Sequence, residues 1–418
     1  MGRKKTRREK QEQKKIKNTS GQEIKFTELL TYKIDTLRQS ADGFIRPLSD
    51  SVFMIVAIKY FAAPDFWKSI IASSSFIGFF LASPFTGFLS GRKFPRSNIL
   101  FYLTLVSSLL MFFSVLSENG KVFAAVISMS VAVFYLRQPY YTELYGDMYP
   151  AERRAMRISP GLRINQVLTV AAGFLYGRLL DYNLSSWRWI IAAGAVILAL
   201  SGTLLKKLPE TDRSGEPEWK WTKGLIKPFT NKKFLYIEAS WMIIGFANLW
   251  TLPLKAVYLA ENRRGLGLST TLVTVILVVI PVGFKLLFNP VWASFYTKSS
   301  FPVFRIAVNV LFFLSFPFFF ATSSLPVIIA ASVLFGIAAS GSPFIWQLWV
   351  TRLVGPGEVK IYQSAHIALA GFRGIIAPFI GFSVLGALSF RTIGYISGAA
   401  GLLATLMIIP LLHPKRVF

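Results

Sequence analysis

The sequence contains no cysteine and only two histidines, His366 and His413. Disulfides, thiolate nucleophiles and cysteine-based zinc sites are therefore excluded, and imidazole chemistry is confined to two positions. Charge is scarce as well, at 16% of the 418 residues, against about 25% in an average soluble domain. Acid is scarcer still: 20 Asp and Glu face 46 Lys and Arg, a formal net charge of +26. In a soluble chain that balance would point to nucleic acid. Here 53% of the residues are apolar, 15% are aromatic and the mean hydropathy is +0.50. The basic residues fall between long apolar runs, which excludes an ordinary soluble enzyme and removes the case for a nucleic-acid partner.

About twelve apolar stretches near 20 residues long follow one another: 44–63, 68–90, 98–117, 122–144, 161–180, 188–206, 234–258, 269–291, 302–322, 326–349, 363–388 and 391–412. Each is long enough to span a bilayer as a helix. A closed barrel would need alternating strands of about ten residues, and none is present. The fold class expected is therefore an all-α, multi-pass membrane protein. The first stretch is the least clean, because Arg46, Asp50 and Lys59 interrupt it.

Lysine and arginine in the connecting segments set the orientation, because they resist translocation. Segment 1–42 holds 12, the 91–97 turn has Arg92, Lys93 and Arg96, the 145–160 turn has Arg153, Arg154 and Arg157, and segment 206–233 holds eight. All lie on one side if the spans alternate, so both termini are expected in the cytoplasm and the charge reports topology. Segment 1–42 is expected to be a basic tail attracted to anionic lipid headgroups. Within it, Phe26, Leu29, Leu30, Ile34 and Leu37 suit an amphipathic helix, lying on the leaflet or packed under the bundle. The polar linker 207–233 divides the remainder into a six-helix bundle at 43–206 and another at 234–413, leaving 414–418 as a cytoplasmic end. The compact chain and brief external loops suggest a bacterial inner membrane.

The two bundles echo each other. Pro84-Phe85-Thr86-Gly87-Phe88-Leu89-Ser90-Gly91-Arg92-Lys93-Phe94-Pro95 ends span 2, and Pro290-Val291-Trp292-Ala293-Ser294-Phe295-Tyr296-Thr297-Lys298 ends span 8. Likewise Pro150-Ala151-Glu152-Arg153-Arg154 follows span 4, and Pro356-Gly357-Glu358-Val359-Lys360 follows span 10. Internal repeats around a midplane site are a common construction among transporters.

With these features the chain resembles the major facilitator superfamily over roughly residues 40–413. Gly87 through Arg96 resembles that family's turn between helices 2 and 3, a Gly-x-Leu-x-Asp-Arg pattern with further basic residues, although Gly91 replaces the aspartate. Tyr149 through Ala155 resembles the Pro-x-x-Arg turn before helix 5, and Trp187-Arg188-Trp189 resembles the start of helix 6. Gly371-Phe372-Arg373-Gly374 with Pro378 and Gly381 resembles a helix-11 pattern of some bacterial members. The Gly-Pro pair of the drug antiporters is missing from helix 5. The resemblance implies two six-helix bundles, pseudo-symmetric, that rock about a cavity formed chiefly by helices 1, 4, 7 and 10. It also implies a cytoplasmic gate, to which Gly87, Arg92, Arg96 and Lys298 are assigned.

Charges inside spans are costly, and each is a functional candidate unless it lies near an end. Asp50, Arg137 and Lys285 lie about two turns in and Arg373 nearest the midplane, whereas Arg46, Glu143 and Glu238 lie near one end and Lys255, Arg178 and Lys59 near the other. Asp50 follows Arg46 at the i, i+4 spacing of an ion pair. It is also the only carboxylate among the deep residues, which makes it the candidate proton-coupling group, with Glu143 in reserve. If Arg137, Lys285 and Arg373 all face the cavity, the site favours an organic anion. An alternative polar set, Gln138, Asn248, Trp346 and Gln347, would suit a neutral solute such as a sugar. His366 is expected to be a satisfied interfacial histidine.

Phosphate-cradling glycine loops and paired catalytic carboxylates are absent from the polar segments, so neither a cofactor nor an enzyme activity is expected. The sequence thus points to a secondary transporter of a small solute, a monomer, with a proton or another ion as coupling partner. A membrane receptor or scaffold that transports nothing, a lipid flippase and a membrane enzyme remain as alternatives.

Overall fold

The computed structural model describes residues 27–89, 94–149, 151–208, 227–355 and 358–413. Twelve helices account for most of them. α1 covers 27–60, with two π-helical turns at Leu48–Val52 and Val56–Tyr60. It is followed by α2 (Asp65–Leu89), α3 (Arg96–Ser114) and α4 (Gly120–Leu136), which continues as Gln138–Met148 after a turn at Arg137. Next come α5 (Ala151–Tyr182) and α6 (Trp187–Leu205). The second half holds α7 (Lys232–Ala260), α8 (Thr270–Lys298, with a π-turn at Val275–Val279), α9 (Phe301–Phe320), α10 (Leu325–Leu348), α11 (Val359–Val384) and α12 (Phe390–Leu406).

Ten of these helices are long and apolar enough to cross a membrane; α1 and α5 are not among them, because both carry charged residues along their length. Each is held by polar bonds to the other. Asn165 Nδ2 donates to the Gln39 carbonyl at 2.9 Å, Thr169 to that of Gly43 at 3.3 Å and Tyr176 to that of Phe44 at 3.2 Å. The amphipathic segment expected on the leaflet or packed under the bundle is the start of α1, which runs without a break from residue 27 into the bundle. Its apolar stripe buries Ile34 against Ile99, Leu100, Tyr140 and Leu205.

The two halves are built alike. In the first, α2 packs on α4, α3 on α4 and α6, and α1 on α5 and α6; in the second, α8 packs on α10, α9 on α10 and α12, and α7 on α11 and α12. Adding six to each helix number of the first set gives the second. The same operation exchanges the two junctions between halves, α2 with α11 and α5 with α8.

Those junctions lie toward the end opposite the termini. On α2 and α11, Ser73 donates to the Ile375 carbonyl at 2.8 Å, and a Cβ on Gly374 would stand 2.1 Å from Phe76 Cδ1, so the absent side chain sets how closely the helices approach. Between α5 and α8, Asp181 accepts from the backbone N–H groups of Thr270 at 2.5 Å and Thr271 at 2.9 Å, capping the start of α8. One hydrophobic core spans both halves there, with Ile55, Val56, Leu180, Val257, Ile276 and Ala377 buried together. At the end bearing the termini the cores separate. One holds Ile99, Leu100, Tyr140 and Leu144 of the first half, the other Phe234, Trp292, Phe304 and Trp349 of the second. The halves therefore meet as a V that opens toward the termini.

Candidate functional site

Opposite charges at four-residue spacing line one stripe of α1: Arg38, Asp42, Arg46 and Asp50. They form two pairs with different surroundings. The Arg46–Asp50 pair, 3.2 Å apart, remains 46% and 37% exposed at mid-bundle depth, because it faces the opening of the V. Asp50 sits in the first π-turn of α1, which packs on the π-turn of α8. Such irregular turns recur where a helix carries function. Beyond its own π-turn and Pro281, α8 presents Lys285, half-buried and within electrostatic reach of both Arg46 and Asp50. Tyr135 of α4 interacts with the same pair. Two cations and one carboxylate from opposite halves thus meet at the apex of a water-reached cleft, with a net positive charge.

Arg137 is not part of that group. It lies inside the first half, where its guanidinium donates to Asp42 at 2.7 Å and to Thr104 Oγ1 at 3.2 Å and stacks 3.6 Å from the centre of the Phe134 ring. Arg38 pairs with the other oxygen of Asp42, bonds Asp35 at 2.7 and 2.9 Å and donates to Tyr145 at 2.9 Å. A part-buried carboxylate between two guanidiniums ties α1 to α4, so the condition that Arg137 face the cavity is not met. Depth along the apolar stretches cannot reveal it, because Asp42 precedes the first of them.

Arg373 is also corrected. It lies within the second half, 5% exposed, donating to the Trp241 carbonyl of α7, and a Cβ on Gly245 would fall 2.1 Å from its guanidinium carbon. Glu143 lies 3.6 Å from Arg96 on the outer part of the first half. Of the polar set, Trp346 packs against Trp241 and His366 inside the second half, Gln138 is exposed and Asn248 is half-buried. The Gln347 side chain lies outside the described residues, as do Arg92, residues 1–26 and residues 209–226. Gly87 is helical near the end of α2, and Lys298 ends α8 exposed. Among the described residues no three His, Asp or Glu side chains gather as metal ligands do.

The far end is closed by charge as well as by apolar packing. Arg264, in the loop before α8, bonds both Asp65 oxygens at 2.7 and 2.8 Å and Glu261 at 2.9 Å, while Lys68 reaches Asp65 at 2.7 Å. The hydrogen bonds it donates to Asp65 raise Arg264 above the ordinary arginine range, so it stays charged. Lys59 donates across the halves to the Leu268 carbonyl at 2.5 Å. At the opposite end the ion pairs among the described residues stay within one half, such as Glu28 with Arg157 and Lys227 with Glu358. A partly exposed bridge contributes about 1 kcal/mol at most. Arg264→Ala should therefore shift the balance between the two arrangements about fivefold toward an open far end. Spin labels at Tyr182→Cys and Val327→Cys, introduced into a chain with no cysteine to remove, would report the distance; an unchanged distribution would rule out a latch.

No protein-family model and no curated protein matches this sequence. Solved structures do. A point mutant of the nucleoside transporter NupG aligns with TM-score 0.73 at 13% identity over 93% of this chain and 100% of that one. The fold is that of the major facilitator transporters. A D-xylose–proton symporter aligns with TM-score 0.67 at 15% identity, covering 91% of this chain and 97% of that one. A POT family transporter in complex with a thioalcohol-conjugated peptide aligns with TM-score 0.65 at 12% identity, covering 94% and 96%. These structures are transporters, not enzymes, and identities this low carry the fold alone.

Proposed function

We propose that the protein is a secondary transporter of a small organic anion, bound at Arg46, Asp50 and Lys285 and released as the two halves rock. The observation that carries this reading is the placement of the three charges. They gather from both halves at the apex of a cleft that is sealed at one end and open at the other, which alternating access requires. The fold shared with nucleoside, sugar–proton and peptide transporters supports it. With the Lys/Arg-rich segments in the cytoplasm, the open end faces inward, both termini are cytoplasmic, and the membrane is the inner membrane of a bacterium. The cleft is complete within one chain, so a monomer suffices. The basic tail attracts anionic lipid.

A thermal-shift screen of the purified protein with matched organic anions, neutral sugars and organic cations at fixed ionic strength tests the reading, since a ligand of the folded state raises its apparent stability. A shift with anions, followed by uptake of the same compound into proteoliposomes, is the expected result. A shift confined to sugars would transfer the site to the amide and tryptophan set. Binding without uptake would favour a receptor.

A further inference from the structure

The second half encloses a polar group that the solute site does not use. Glu238 of α7 is 3% exposed and His366 of α11 is fully buried, with Glu238 Oε2 2.8 Å from His366 Nδ1. The other atom of each side chain, Glu238 Oε1 and His366 Nε2, is buried without a hydrogen-bond partner. Three tryptophans surround the imidazole, with ring centres at 4.3 Å (Trp346), 5.4 Å (Trp241) and 5.4 Å (Trp349). Unpaired polar atoms at such depth are costly, so the arrangement is maintained against a standing penalty.

Two cations accompany the pair. Arg305 of α9 is fully buried over the Trp241 ring at 3.2 Å, and none of its three guanidinium nitrogens has a partner. It interacts electrostatically with Glu238 and with Arg373 of α11. The other helices around the pair add no charge: α10 contributes only tryptophan, the Tyr362 phenol of α11 is bonded to Asn231, and the sole charge of α12, Arg391, is at its opposite end.

We infer that the Glu238–His366 pair is a proton-binding site that couples protonation to the rocking of the halves. The inference rests on the transporter reading and moves the coupling role from Asp50, which is partly exposed in the cleft, to the carboxylate enclosed by protein. A proton from the aqueous cleft adds to His366 Nε2, giving an imidazolium whose Nδ1–H donates to the Glu238 carboxylate. The proton leaves by the same atom when the pair reaches water on the other side. Loading places a third positive charge beside Arg305 and Arg373 and so disfavours the present packing of α7, α9 and α11. About two turns separate His366 from the stretch of α11 that carries Arg373, Gly374 and Ile375, where α11 contacts α2 of the other half. The charge change is therefore delivered to the junction itself.

Double electron–electron resonance on the full chain in nanodiscs tests this, with labels at Met156→Cys and Val303→Cys, one exposed on each half near the open end. Between pH 5 and 9 the distance populations should shift at least fivefold, with acid favouring the closed form. The shift should be lost in Glu238→Gln and His366→Gln and kept in Asp50→Asn. Two populations that ignore pH, or a response abolished by Asp50→Asn alone, would overturn the inference and leave the transporter reading intact. One fixed distance under all conditions would overturn both. A readout without any change at the pair guards against variants that fail to fold. In His413→Gln the chain has a single histidine, and the 15N resonances of His366 should move between neutral and imidazolium positions across that range. Invariant resonances would refute the site.

Discussion

Replacing Asp42 with leucine should lower the stability of the folded protein by about 3–5 kcal/mol, the usual cost of stranding a buried charge. The Arg137 side chain is 2% exposed, and beyond Asp42 it has the Thr104 hydroxyl and the faces of Phe134 and Tyr141. Arg38 suffers less, because Asp35 still accepts from it. The double variant Asp42→Leu/Arg137→Leu should recover much of the loss, since neither charge is then left alone. Thermal unfolding in detergent, followed by tryptophan fluorescence, gives the order: wild type, then the double variant, then Asp42→Leu. If the double variant were no better than the single one, the pair would not be the strut between α1 and α4.

Lys285→Ala should weaken binding of an anionic solute by about 10–100-fold, the range of a charge-assisted hydrogen bond worth about 1.5–3 kcal/mol. Asp50→Asn should act in the opposite sense. It removes the one negative charge at the apex, so anion affinity should rise, most clearly at low ionic strength where screening is weakest. The same substitution would leave a neutral sugar almost unaffected. Titration calorimetry with the first anion to give a thermal shift separates these cases. Equal losses in Lys285→Ala and Asp50→Asn would mean that the two residues support each other and do not select charge.

What could be foreseen differed between fold and site for a physical reason. Apolar runs long enough to cross a bilayer, the side-to-side bias of Lys and Arg and the Pro-containing echoes of spans 2 and 8 are properties of the chain taken in order. They led to twelve helices in two similar halves. The contents of the site depend on rotation about each helix axis, which a depth count cannot supply. Arg137, Lys285 and Arg373 all read as deep cations, yet only Lys285 reaches the cleft, while the others turn into the separate halves. Part of the missing signal was present. The four-residue alternation of Arg38, Asp42, Arg46 and Asp50 continues back into the segment assigned to the tail, and following it would have extended α1 and exposed Asp42. Glu238 and His366 had no such mark, being 128 residues apart.

By itself the sequence determined the class of molecule, its count of helices and its internal repeat, because burial in lipid constrains every residue of a span according to its own chemistry. Tertiary structure alone decided which charges are struts and which meet the cleft. It also decided that the far end is the closed one, and that a histidine read as interfacial is enclosed with a glutamate and two arginines. Pairing is a relation between helices, and its energy is fixed only when they have packed.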